Sequence, residues 1–267
     1  VVGESGTILT SSNGKLWIPR DSGSKNLLYN VTYGRDMYVT VGMYGTILTS
    51  KDGTFWNKQT SGTNSLLLDI IFKRDKFTIV GGEIINSING SKWEINKNII
   101  NDLLFGITYG NKKYVTVGLK GTIHSSLDGI NWLNRKKPSS DLIVDVVYGN
   151  EIFITIGNSK KIFTSKDGIK WIPIELDIED RINRITFGNR IFIIVGHKGT
   201  ILKSKDGTKW EKQFSKTQEN LYNLIYGNNQ FIIVGDNGII LSSQRGTNWE
   251  IEKSYTTKKL QGITLNR

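Results

Sequence analysis

The chain has 267 residues, a formal net charge of +11 and a pI near 9.6, with no Cys and only three Pro. The missing Cys excludes disulfides and thiol chemistry, and no apolar stretch is long enough to cross a bilayer, so no transmembrane segment is expected. The basic balance favours anionic partners, although Lys and Arg are spread along the whole length, as on a solvated surface.

The chain opens on Val1-Val2-Gly3 without a Met or a visible signal peptide, as a trimmed or processed piece would. A repeat then runs to the end. Trp falls at positions 17, 56, 93, 132, 171, 210 and 249, and these are all the tryptophans present. A Gly stands three residues before each Trp, a Ser six before and an Ile nine before. Counting forward, position +11 is Leu or Ile and position +14 is branched aliphatic. Position +16 is aromatic in six copies and Leu265 in the last. The +14 and +16 side chains share one strand face, as period-two spacing requires.

Each copy predicts four short strands. The first resembles Leu68-Asp69-Ile70-Ile71-Phe72 and ends in a turn of the Gly149-Asn150 kind. The second resembles Tyr38-Val39-Thr40-Val41 and ends at Gly42; the third is Thr46 to Ser50, and the fourth begins near Trp56. Asp-Gly or Asn-Gly joins the third and fourth strands in six copies, a dipeptide in which both residues tolerate positive φ; the seventh has Arg245-Gly246. Four-stranded units of this length, repeated radially, give an all-β, seven-bladed β-propeller spanning 1–267 as one domain. Its last strand, around Leu260–Leu265, is expected to join residues 1–20 in one blade. That blade's second strand is a few residues short, and Arg267 is expected at the turn after its first strand. Such closure removes sheet edges.

The Ser-x-Asp-Gly-x-x-Trp motif resembles the Asp-box (BNR-type) repeat. The Val-Gly-x-x-Gly-Thr-Ile run before it is similar to propellers related to photosystem II assembly factors, a broad group that also holds sialidases and xyloglucan-degrading hydrolases. The resemblance covers the whole chain. It implies that the Asp boxes are architectural, on the face away from a sialidase active site. Asn13, Asn89 and Arg245 depart from the motif at its acidic position. A sialidase also needs an arginine cluster, an acid and a Tyr/Glu pair, and no such Arg motif is present.

Chemistry is expected where otherwise matching copies differ. One place is the loop between strands two and three, on the face opposite the boxes, because rigid scaffolds present function on such loops. It offers Tyr44, Lys120, Lys160, His197 and Lys198 as ligand contacts, and repeat three has lost two residues there, at Gly81-Gly82-Glu83. The other place is position +13 of the innermost strand, predicted to face the central channel: Asn30, Asp69, Gly106, Asp145, Arg184, Asn223 and Gly262. Asp69 and Asp145 would be the general acid and base of a glycoside hydrolase, and Arg184 either contacts ligand or neutralises an Asp. His124 replaces aliphatic or Phe residues and reads as a packed side chain. With two unrelated His and no Cys, no metal site or Ser-His-Asp triad is expected, and no phosphate loop implies a cofactor. Aromatics interleaved with basic groups are not concentrated on one strand set, so no specific nucleic-acid binding is expected.

The leading reading is a non-catalytic binding or assembly module of a bacterial surface or secreted protein, a monomeric domain acting extracellularly or at the cell surface. Its partner would be a glycan, an anionic cell-wall polymer or a protein. The alternatives are the glycoside hydrolase and, from the resemblance, an assembly factor docking an acidic protein.

Overall fold

The computed structural model describes residues 1–96 and 102–266; Arg267, and with it the expected turn, lies outside the described residues. Among the described residues, 28 strands form seven four-stranded antiparallel sheets arranged as the blades of a propeller. Blade 1 pairs Leu260–Gly262, as its innermost strand, with Val2–Gly3, Ile8–Thr10 and Ile18–Arg20. Blade 2 is Leu28–Gly34, Met37–Gly42, Ile47–Ser50 and Asn57–Gln59. Blades 3 to 7 follow the same order, with innermost strands Leu67–Lys73, Leu104–Gly110, Ile143–Gly149, Ile182–Gly188 and Leu221–Gly227. The ring closes as the sequence predicts, Val2 pairing with Gly262.

The core lies between blades. Ile191, Ile193 and Val195 of blade 6 pack with Leu221, Leu224 and Phe231 of blade 7, and the wedge at the closure joins Ile232 and Val234 to Leu9, Trp17, Leu260 and Ile263. The conserved-spacing Ile before each Trp and the +11 and +14 aliphatics are all buried. Within blades 2 to 5 and 7, aromatic rings form a chain from the innermost strand outward, as in Tyr33–Tyr38 at 4.8 Å and Tyr38–Trp56 at 6.3 Å. Such tilted pairs add about 0.5–1.5 kcal/mol each beyond area burial. Blade packing is close: a Cβ on Gly110 would lie 1.9 Å from Tyr148 of the next blade.

Two turn types alternate. The first and second strands are joined by two-residue turns with positive φ at both positions, as in Arg35 and Asp36 (49° and 53°) or Asn150 and Glu151 (43° and 62°). These are the turns whose twist matches a hairpin. The box turns differ from expectation, because the Gly and not the residue before it takes positive φ, 76° at Gly53; in blade 7 Asn248 (50°) joins Gly246 (66°) there. The Asp is instead an amide acceptor: Asp52 Oδ1 takes Thr54 N–H at 2.8 Å and Phe55 N–H at 3.0 Å. These backbone hydrogen bonds, Phe55 foremost, hold its carboxyl below the usual range. Asn13 and Asn89 accept in the same way, whereas Arg245 cannot, and Ser243 Oγ takes the Thr247 amide at 3.1 Å.

The Trp N–H groups fall into two sets. Trp17, Trp56, Trp93 and Trp210 donate to the Gly three residues back at 3.0–3.2 Å. Trp132, Trp171 and Trp249 have buried N–H groups with no partner among the described residues. At Trp132 the matching carbonyl, Gly129 O, accepts from Asn86 Nδ2 of the preceding blade instead.

Candidate functional site

Strand alternation gives the ring two faces. The loop face holds the loops between second and third strands and the connectors that enter each innermost strand; the turn face holds the two-residue turns and the boxes. The channel between them is lined by position +13, where the sequence placed it.

There the side chains join blades. Asn30, Asp69, Asp145 and Asn223 each accept the amide of the next residue at 2.8–2.9 Å. Each then reaches the following blade with its other atom. Asn30 Nδ2 donates to Asp69, Asp69 Oδ2 accepts Ile107 N–H at 3.0 Å, and Asp145 Oδ2 accepts Ile185 N–H at 2.9 Å. Asn223 Nδ2 donates to Gln261 O at 3.0 Å. Arg184 of blade 6 crosses the axis: its Nη2 lies 3.1 and 3.2 Å from the two oxygens of Asp69 in blade 3, and its Nε 3.3 Å from Asp145 in blade 5. Gly106 makes room, since a Cβ there would lie 2.9 Å from Asp145 Oδ1.

Asp69 and Asp145 are fully or nearly fully buried. Burial pushes the Asp145 carboxyl up to about 6; Arg184 opposes this and Asp69 adds to it. Desolvation works against the Arg184 cation, but the two carboxylates outweigh it and hold its pKa above the ordinary value. The structure therefore brings Asp69, Asp145 and Arg184 into one cluster in which all four carboxylate oxygens are engaged by protein groups.

The five rim residues are not brought together. Tyr44, Lys120 and Lys160 stand exposed on blades 2, 4 and 5, and only His197 and Lys198 are adjacent. Nor are these loops unconstrained. The first loop residue is tied to position +10 of its own blade, as in Met43 N–H to Leu27 O at 2.9 Å, Leu119 N–H to Leu103 O at 2.9 Å and His197 N–H to Arg181 O at 2.8 Å. Tyr44, Lys120 and Lys198 follow in the left-handed region (φ 50–55°). The backbone is fixed while the side chains vary.

Sequence reasoning missed positions +10 and +12, which flank the buried +11 residue at the channel mouth. The innermost strand of every blade carries a one-residue bulge there: Leu28 pairs with Gly42 but Asn30 with Val41. Such a bulge leaves the intervening residue unpaired and turns the strand; here it is the half-exposed Tyr29. Position +10 is Leu27, Leu66, Leu103 and Leu142 in blades 2 to 5, then Arg181, Asn220 and Lys259 in blades 6, 7 and 1. Position +12 is Tyr29, Leu68, Phe105 and Val144, then Asn183, Tyr222 and Gln261. The mouth is thus an apolar half-ring facing a polar one. The signal was a change of residue class at a fixed repeat position.

The polar half is already networked. Asp236 Oδ2 accepts from Tyr222 Oη at 2.9 Å and Asn220 Nδ2 at 3.0 Å, and Lys259 Nζ lies 3.8 Å from its other oxygen. Lys198 Nζ is 3.5 Å from Asp180. Burial, reinforced by the Arg181 charge, lowers the His197 pKa against the pull of Asp236 and Asp180, which keeps the ring neutral near pH 7. His124 is buried, as its replacement of an aliphatic residue implied. Among the described residues no group of His, Cys, Asp and Glu is placed to hold a metal ion, and no helix is long and apolar enough to cross a membrane.

These features define a seven-bladed β-propeller with an ion-paired channel and a two-sided mouth. Solved structures of similar form include YCF48 bound to a D1 peptide, at 17% identity and a TM-score of 0.72 over 92% of this chain and 86% of that one. YCF48 from Cyanidioschyzon merolae matches at 17% identity and 0.66, over 85% of each chain. The computationally designed Ika8 protein matches at 10% identity and 0.66, over 91% of each. The expected likeness to photosystem II assembly-factor-type propellers is therefore met in YCF48. At these identities it is a likeness of fold. No known sequence family and no curated protein matches the chain.

Proposed function

We propose that this chain is a non-catalytic docking propeller that holds an extended protein segment across its loop face. The observation that carries the reading is the division of the channel mouth: half-exposed Leu, Tyr, Phe and Val side chains on blades 2 to 5 face Arg181, Asn220 and Lys259 with their polar neighbours. An apolar side chain of the segment lies over Leu68 and Phe105, while its acidic or hydrogen-bonding groups face Arg181 and Lys198. Tyr44 and Lys120 flank the apolar half, and Lys160, His197 and Lys198 the polar one. A fixed loop backbone favours this role, because preorganised surfaces lose less entropy on binding. YCF48, a propeller of like form, has been seen bound to a D1 peptide, which supports a peptide ligand.

Engagement of Asp69 and Asp145 by backbone amides and Arg184 also supports the non-catalytic reading. A general acid or base must reach the substrate's proton directly or through one water, and here Arg184 occupies that approach. A second reading, a glycan partner, is favoured by Tyr44, which is 64% exposed, beside the half-exposed Tyr29. In either reading we place the module at the cell surface or outside the cell, where a chain of net charge +11 meets anionic polymers.

The test is selection of displayed peptides on the immobilised propeller, with a glycan array in parallel. Enriched peptides are expected to carry adjacent apolar and acidic residues, and to bind at least about tenfold more weakly to Leu68→Glu or Phe105→Glu. Glycan hits without peptide enrichment, or peptide affinity unchanged in both variants, would reject protein docking.

A further inference from the structure

The turn face carries features that docking on the loop face leaves unused. The box turns of blades 1 to 5 each hold an apolar side chain in solvent: Leu16, Phe55, Ile88, Leu127 and Ile169. Phe55 is 76% exposed, Ile88 67% and Leu127 68%. The turn itself does not require them, since blade 6 has Lys205, Thr208 and Lys209 in the matching turn and blade 7 has Gln244 and Thr247. A single exposed apolar residue is ordinary, but a series on neighbouring tips marks an interaction surface.

Charge accompanies them. Arg35, Lys92, Lys112, Lys166 and Lys170 lie exposed in the same turns or the two-residue turns beside them. Across this face basic residues outnumber acidic ones, and the acidic residues of the boxes turn their carboxylates onto turn amides. The tips are also held in fixed mutual positions. Arg74 Nη1 donates to Leu127 O at 2.8 Å, and Lys113 Nζ to Asp167 O at 2.8 Å, each clamping the box of the following blade.

We propose that the turn face of blades 1 to 5 docks on an anionic lipid bilayer. Lysines and arginines are drawn to the acidic headgroups, and the apolar tips enter the boundary between headgroups and acyl chains. Electrostatic attraction combined with shallow apolar insertion is the general physics of peripheral binding. A nucleic acid fits less well, because Phe55 is the lone exposed ring among the described residues of this face, whereas single-strand binders offer successive stacking platforms. An acidic protein fits less well because separate convex tips form no groove.

The experiment is co-sedimentation of the 267-residue chain with phosphatidylcholine vesicles, with and without phosphatidylserine, at low and physiological salt. Binding is expected only with phosphatidylserine and is weakened by salt. The triple variant Phe55→Ser/Ile88→Ser/Leu127→Ser and the charge variant Lys92→Glu/Lys112→Glu/Lys170→Glu should each bind about tenfold more weakly or worse. Both alter exposed positions, and matched far-UV spectra and melting curves establish that they fold. Leu68→Glu, on the opposite face, should bind vesicles as the parent does, which separates this outcome from that of peptide docking. Absence of binding to acidic vesicles would overturn the proposal. So would undiminished binding by the apolar variant alongside loss in the charge variant, with competition by single-stranded nucleic acid, which would make the face a general polyanion surface.

Discussion

Asp52 in a box turn and Asp69 in the channel both use a carboxylate to collect backbone amides, yet they differ in what they join. Asp52 satisfies two amides of its own turn in solvent, and in blade 7, with Arg245 in its place, a turn still forms with Ser243 as the amide acceptor. Asp69 is buried and ties its own strand to the next blade and, through Arg184, to a blade across the axis. A local, solvated device tolerates substitution. A buried device that spans blades depends on each of its members, because removing one leaves the others charged and dry.

The sharpest test of that contrast is Arg184→Ala, which leaves two buried carboxylates facing each other. A loss of about 3–5 kcal/mol in urea unfolding is expected. Arg184→Lys should recover only part of it, since one ammonium cannot replace both Nη2 at Asp69 and Nε at Asp145.

Acidity probes the same cluster with a definite sign. Asp145 is raised from 3.8 to about 6 in the fold, so the folded state holds its proton more tightly than the unfolded chain. Its contribution to stability is full below about pH 4 and is lost as pH rises through 6, a difference of about 2–3 kcal/mol by pH 7. Box carboxylates act oppositely: Asp206 is lowered to about 2, chiefly by the Lys209 and Thr208 amides, and its small contribution is lost as pH falls through that value. Subtracting the stability profile of Asp145→Asn from that of the parent between pH 4 and 8 isolates the first effect; a flat difference would refute the raised pKa.

Smaller effects bear on the ring's tightness and on the boxes. Gly110→Ala drives a Cβ into Tyr148 and should cost about 1–3 kcal/mol by thermal melting. Arg245→Asp adds a carboxylate amide acceptor to the one box without Asp or Asn at that position and should raise the melting temperature by about a degree or two. Equal responses to this change and to Arg184→Ala would erase the distinction between solvated and buried carboxylates.

Most of the fold was legible because it is repeated. Trp17 to Trp249 fix the blade boundaries, and period-two spacing placed Asn30, Asp69 and Asp145 at the channel. Geometry across the ring was not legible. A repeat says what each copy does and nothing of which copies meet, so Arg184 reads as a residue able to neutralise an Asp, but not as one that reaches Asp69 three blades away. The bulge at Tyr29 was hidden for a related reason: it shifts pairing without breaking the alternation of Leu28 and Asn30. Asp-Gly tolerates positive φ at both residues, so the dipeptide alone does not say that Gly53 takes it and Asp52 does not. The divided mouth lay in the residues at +10 and +12, masked by the more uniform +11 between them.

Arrays of repeats behave as one-dimensional chains in which each unit senses only its neighbours, and such chains can fray or melt piecewise. Arg184 adds a coupling that skips over blades 4 and 5 to reach blade 3, and Val2 with Gly262 turns the open chain into a loop. Together they make partial melting of one sector raise the energy of a distant one. Hydrogen exchange should therefore find the innermost strands of blades 3, 5 and 6 opening as one cooperative unit, even though two of those sheets are not adjacent.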